Sequence, residues 1–218
     1  MAHKLVSEKT LFYAMAAFGG FLGGYTVTRC GVLASAETVN LIVLTQAVFG
    51  GDFPQMLVRA GAALVFAFAI AFSTALQLNP RVNLKFIAVL ADFIGIFIVG
   101  FLPENAGFFA LYPVFFITGF QWNAFPGACG YASSCVFSTN NYRQLIIGLT
   151  LYFKTRDREA LRRARFFAGS LLFFHIGVAA AFFGMRWLGF YSILLCLPLI
   201  IPACYFCAQQ DAVQAKGR

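Results

Sequence analysis

Eight apolar segments follow one another along this chain, at about 11–28, 31–50, 56–78, 84–102, 107–126, 131–153, 166–185 and 187–207, with short polar breaks between them. Each approaches the ~20 residues that a helix needs to cross ~30 Å of hydrocarbon. Inside lipid the backbone must satisfy its own hydrogen bonds, which leaves helices as the natural form for segments of this kind. Charged residues make up 11% of the chain and mean hydropathy is +0.79, whereas a soluble domain carries about a quarter charged residues. The sequence therefore predicts an all-α polytopic membrane protein. Lys4 and Lys9 precede the first apolar segment, but no small-residue cleavage site follows it, so that segment is expected to be a retained span.

The second and sixth segments share a polar pattern. Ala36-Glu37-Thr38-Val39-Asn40-Leu41 and Phe137-Ser138-Thr139-Asn140-Asn141-Tyr142 align Thr with Thr and Asn with Asn, 101 positions apart. Polar side chains in lipid are costly and tend to mark a solute or ion path. A duplicated pattern points to an internal repeat with a shared site. The order span, motif segment, span, span occurs twice, dividing the chain into a first membrane repeat, 1–103, and a second, 104–218. The second gains a basic loop at 154–165, with six basic and two acidic residues.

Two topologies fit this order. If the motif segments are broken or re-entrant, six full spans remain and the halves are inverted; if all eight segments cross, the halves run parallel. With six spans and both termini cytoplasmic, Lys4, Lys9, Arg81, Lys85, the 154–165 cluster, Lys216 and Arg218 lie inside, and Arg59 and Arg186 lie outside. The eight-span alternative moves Arg29, Arg81, Lys85 and Arg186 outside. The positive-inside rule favours six spans and inversion. The same rule accounts for the basic loop without nucleic acid, for which no aromatic-and-basic module is present.

Near a helix start, Thr38, Asn40, Thr139 and Asn141 can cap backbone N–H groups or offer oxygens to a solute, and half-helix N-termini attract anions. Glu37 is placed to take up and release a proton or to pair with Arg143. Asp92, in mid-span, is the second acid expected to face a cavity. Arg29 and Arg143 are placed to neutralise these acids or to hold an anionic solute. Gln121 and Asn123 can line a pocket or bond between helices, and Trp122 offers a stacking face. Gly19-Gly20-x-x-Gly23-Gly24 allows a backbone to approach α-helix to α-helix, either within the chain or in a homodimer. The pair Cys204 and Cys207, and the isolated His175, are expected to pack rather than to ligate. No nucleophile–base set, metal cluster, phosphate loop or dinucleotide fingerprint is readable, so neither an enzyme nor a cofactor is expected.

The chain resembles the YoaK family of small bacterial inner-membrane proteins. The resemblance rests on Gly24-Tyr25, Ser35-Ala36-Glu37-Thr38-Val39-Asn40-Leu41-Ile42, Gly119-Phe120-Gln121-Trp122-Asn123-Ala124-Phe125 and Ser138-Thr139-Asn140-Asn141-Tyr142-Arg143-Gln144. Members commonly have Thr-Gly-Asn at the motif, where this chain has Thr38-Val39-Asn40 and Thr139-Asn140-Asn141. An Asp often follows the Gly-Tyr pair; here Thr26, Val27 and Thr28 follow. Gln is frequent at the place of Glu37. The resemblance implies a multi-spanning protein of the bacterial inner membrane and no particular substrate.

The leading expectation is a secondary transporter. A small polar or charged solute would bind Thr38, Asn40, Gln121, Trp122, Asn123, Thr139, Asn140, Asn141 and Arg143, with Glu37 or Asp92 coupling it to H⁺ or Na⁺. A passive channel and a non-transporting sensor or partner subunit docking through 154–165 are the alternatives.

Overall fold

The computed structural model describes the backbone of residues 2–216 and the side chains of residues 8–207. Lys4, Lys216 and Arg218 of the charge count lie outside the described side chains. Eight α-helices follow in order: α1 (Ala2–Cys30), α2 (Glu37–Gly50), α3 (Phe53–Gln77), α4 (Leu84–Phe101), α5 (Tyr112–Ala124), α6 (Thr139–Thr155), α7 (Arg158–Leu188) and α8 (Leu197–Lys216). Tight 3₁₀ turns at Glu104–Leu111 and Gly189–Cys196 lead into α5 and α8. A two-residue hairpin, β1 (Gly127–Ala128) with β2 (Tyr131–Ala132), precedes α6.

Four stretches are long and apolar enough to cross a membrane: Glu8–Cys30, Phe53–Gln77, Leu84–Phe101 and Arg158–Cys207. The last contains both α7 and most of α8. Many large apolar side chains face outward, among them Phe49, Phe68, Phe101, Phe182 and Trp187. A soluble monomer does not expose apolar surface on this scale. The chain is an all-α polytopic membrane protein.

Long-range contacts fix the direction of each helix. The Tyr13 hydroxyl donates to Phe166 O at 3.0 Å and that of Tyr25 to Phe190 O at 3.0 Å, so α1 and α7 run the same way. Tyr112 reaches Val58 O and Asn123 reaches Ser73, each at 3.0 Å, so α3 and α5 also run together. Gln121 on Met15 O and Cys30 near Gly107 make α5 opposite to α1. Asn83 donates to Cys207 O at 3.2 Å, while Gly100 abuts Leu194, so the 189–207 leg opposes α4. One end of the bundle therefore carries Lys9, the 78–83 turn, the 127–132 hairpin and the start of α7. The other carries the 31–36 and 51–52 connections and the starts of the 104–124 and 189–207 legs.

The two motif helices differ from the others. α2 begins inside the bundle, where Asn40 bonds Arg59 O at 3.2 Å, and ends at the second rim with Gly51 in the left-handed region, φ 72°. α6 begins inside the bundle and ends at the first rim, where Arg156 adopts φ 56° before α7. The apolar segment 31–50 thus shortens to a helix over 37–50, and 131–153 shortens to 139–155. Their first residues, among them Gly31, Ser35, Ser133 and Ser134, form connections instead of helix.

The centre of the bundle is α1. Phe12, Met15, Phe18, Phe21, Leu22 and Tyr25 are all essentially inaccessible. A Cβ on Gly20 would meet the Phe174 backbone, one on Gly24 would meet Val178 and Ala181, one on Gly19 the Cys135 carbonyl, and one on Gly23 Leu33. All four glycines of the stripe meet this chain's own atoms.

Candidate functional site

The starts of α2 and α6 open on the same cavity. Its volume is about 800 Å³, and both motif copies line it, through Ser35, Glu37 and Thr38 on one side and Phe137, Ser138 and Thr139 on the other. Gly23, Gly24 and Thr28 of α1 form a further wall. Phe66 and Trp122, with Phe174 and Phe182, supply the aromatic surfaces. Phe66 and Phe174 stand near the middle of α3 and α7, which sets the cavity's depth.

Helix capping separates these two helices from α3, α4 and α7. Asp52 caps α3 by accepting from Gln55 N at 3.1 Å, Asn83 caps α4 from Phe86 N at 3.0 Å, and Asp157 caps α7 from Glu159 N at 2.9 Å. At α2 the cap position is Ala36, and at α6 it is Ser138; neither side chain makes a capping bond. The first N–H groups of a helix have no intrahelical partner, and they carry the positive end of its dipole. Both sets of donors are left at one cavity.

The asparagines Asn40 and Asn141 of the motifs are used in holding the scaffold around the two helix starts. Asn40 donates to Glu37 Oε2 at 2.8 Å as well as to Arg59 O. Asn141 accepts from Ser133 Oγ at 2.8 Å and from Ser134 N at 3.4 Å, and donates to Ser134 O at 2.6 Å. Asn141 thus pins the 133–134 stretch against α6, while Asn40 ties the start of α2 to α3. The expected solute contacts of Asn40 and Asn141 give way to scaffolding, because both are buried beside backbone groups that need partners.

Glu37 keeps one oxygen, Oε2, on Asn40; its Oε1 is buried and has no hydrogen-bond partner. Its pairing partner is thus Asn40 and not Arg143, which is exposed and lines neither this cavity nor the next. Ser35, 2% exposed, also presents a hydroxyl without a partner to the cavity. The Arg59 side chain lies over the Phe108 ring and donates from Nε to Gln55. Arg29 donates to the Tyr25 hydroxyl at 2.6 Å and stacks on Phe190, so it does not reach the cavity either.

The remaining candidates divide. Trp122 lines the main cavity and a second one of about 580 Å³, and Phe137 does the same. The two rings meet edge to face at 5.1 Å and form a partition between the cavities. Asn123 and Asn140 line the second cavity, where Asn123 donates to Ser73 and Thr74. Gln121 is fully buried and donates to Met15 O and Cys135 Sγ, an interhelical bond rather than a pocket contact. Asp92 is wholly buried, has no partner on either oxygen and lines neither cavity. It does not share a chamber with Glu37. His175 Nδ1 donates to Leu171 O of its own helix at 2.8 Å, and among the described residues no group of His, Cys, Asp and Glu fit for a metal occurs.

Sequence reasoning missed Ser35, Phe66, Phe137, Phe174 and Phe182. Ser35 lies two residues before Glu37, where a buried hydroxyl in an extended connection was readable. The phenylalanines carried no signal, because 28 of them are spread along the chain.

Fold and site together define a helical membrane protein with a largely apolar, partly open cavity at the starts of two short helices. The chain belongs to the family described as "Protein of unknown function (DUF1275)", whose match covers residues 11–206. No curated protein and no solved structure matches it.

Proposed function

We propose that the protein is a secondary transporter that carries a small polar or charged solute through the cavity between α2 and α6. The observation that carries this reading is the convergence of two uncapped helix starts on one chamber. Broken helices meeting near the bilayer midplane, with their free backbone groups turned to a solute, are a recurrent transporter device. The Trp122–Phe137 partition supports it further, since the cavities on its two sides lie toward opposite ends of the bundle. Glu37 is the coupling acid in this reading, because it lines the chamber and Asp92 does not. The ring pair between the cavities supports alternating access over a continuous path.

The halves 1–103 and 104–218 are inverted repeats in this reading. α1 and α5 run oppositely, as do α4 and the 189–207 leg, and α2 and α6 leave the centre for opposite rims. Six legs then cross the inner membrane of a bacterium, as the YoaK resemblance implies, with both termini and the 154–165 segment in the cytoplasm. An impermeant thiol reagent applied to intact cells tests the orientation: Arg81→Cys is expected to stay unlabelled until the cells are opened. Labelling from outside would reverse the orientation.

Proteoliposome counterflow tests the transport reading. Preloaded solute is expected to accelerate uptake of labelled solute with saturation, while large single-channel currents would make the protein a channel. Silence across a broad solute panel would return the sensor or partner-subunit reading.

A further inference from the structure

From the electrostatics of the main cavity we infer that its solute is an aromatic carboxylate monoanion, bound together with one proton on Glu37. This rests on the transporter reading and names its cargo. Each helix N-terminus carries roughly half a positive charge, so the starts of α2 and α6 together present about one. Among the described residues no lysine or arginine lines the cavity. A phosphate ester or a dicarboxylate, which calls for guanidinium or ammonium partners, is therefore poorly matched. A cation is opposed by both helix ends. Between them the two helix starts balance one negative charge.

Glu37 supplies that charge while the cavity is empty, standing as the first residue of α2 against its own helix start. A second anion beside an ionised Glu37 would leave a net negative charge in a weakly screened space. A proton from the solvent on the open side goes to Oε1, the buried oxygen that no group holds. The acid then becomes an O–H donor, and the solute carboxylate takes over the N–H groups of both helix starts and the unpartnered Ser35 hydroxyl. Asn40 keeps Oε2 in place through the exchange. The rest of the solute meets Phe66, Trp122, Phe137, Phe174 and Phe182, a surface suited to a planar apolar body. Cargo and proton together move no net charge.

The charged groups around Glu37 are few. From α3, Arg59 lies nearest, without an ion pair to it within 4.0 Å among the described residues, and Cys30 at the end of α1 lies near Arg59. α5, α6 and α7 contribute no titratable side chain to the cavity walls.

The test uses the purified full chain with labelled benzoate, its neutral isostere benzamide and the dianion phenyl phosphate. Benzoate is expected to bind at least about tenfold tighter than either competitor at about pH 6. In the wild type its affinity falls up to about tenfold per pH unit above the Glu37 titration. Glu37→Gln, checked for an unchanged Tm, is expected to lose the pH slope of benzoate binding between about pH 6 and about pH 8 and to lose proton-driven accumulation. Benzamide binding as tightly as benzoate would overturn the anion while leaving the transporter standing. A Glu37→Gln protein with the wild-type pH slope would place the proton elsewhere and overturn the coupling. Absence of binding and flux for all three probes would overturn the monoanion, and the broad counterflow panel then decides separately whether transport itself fails. Should Glu37→Gln not fold, the wild-type isostere comparison and pH slope decide alone.

Discussion

Gly20→Val is expected to eliminate folded protein, and Gly177→Val to do the same from the opposite side of the contact. A Cβ at Gly20 would stand 2.7 Å from the Phe174 carbonyl carbon, and one at Gly177 would stand 2.7 Å from Phe21 N. What each would strike is main chain, so no rotamer change relieves it. Overpacking against side chains typically costs about 1–3 kcal/mol. Here the axes of α1 and α7 must part, and with them the packing of the most buried helix in the bundle. In lipid that loss is not offset by a hydrophobic drive between helices, since contact area and close approach hold them together. The measurement is the yield of monodisperse protein in mild detergent, with Tm for whatever is recovered. Gly50→Ala is the control: a Cβ there meets nothing within 4 Å, and its effect should stay within about 0.5 kcal/mol. Wild-type yield and Tm in Gly20→Val would refute the close approach of α1 and α7.

Ala36→Asn is expected to stabilise the protein and stop transport at the same time. Ala36 stands at the cap position of α2 with extended backbone, φ −121° and ψ 97°, and offers no acceptor. An asparagine in that conformation accepts from the N–H of the second or third helical residue, and such a cap contributes about 1 kcal/mol relative to alanine. For a chain of this size that corresponds to a rise in Tm of about 2–4 °C. The N–H groups it satisfies, those of Thr38 and Val39, are the ones assigned to the solute. Counterflow should fall by at least about tenfold, the worth of a single good hydrogen bond to an ionised group. Asparagine is neutral, so the loss would not come from repulsion by an added charge. A stabilised Ala36→Asn protein with wild-type counterflow would free the start of α2 of any part in binding. The opposed signs matter, since a merely damaged protein would lose stability along with flux.

The membrane class, the helical content and the eight apolar segments were legible in the sequence, because bilayer thickness imposes a length and lipid imposes a composition. The chemistry of the cavity was legible only in part. Thr38, Thr139, Glu37 and Trp122 do line it, and each was marked by a polar or amphipathic residue in an apolar run. Asn40, Asn141 and Gln121 carried the same mark and serve the scaffold. Nothing local distinguishes the two groups. The partners of Asn40 and Gln121 lie 19 and 106 positions away, and no spacing rule reaches that far. Arg143 and Asp92 carried charge, and the bundle turns one outward and seals the other inside.

The duplicated Thr/Asn pattern could say only that two polar breaks occur in an apolar chain. By itself the sequence determined that the chain is a helical membrane protein with those breaks, since transfer of side chains into hydrocarbon is a property of composition and length. The tertiary structure decided which hydrogen-bonding groups at the breaks stay open. Asparagines, serines and carbonyls from distant segments bond one another, and the groups left facing the cavity include two helix starts, the Ser35 hydroxyl and one oxygen of Glu37. Hydrogen bonds saturate, so availability depends on every neighbour at once, and neighbours across a bundle are assigned only by folding.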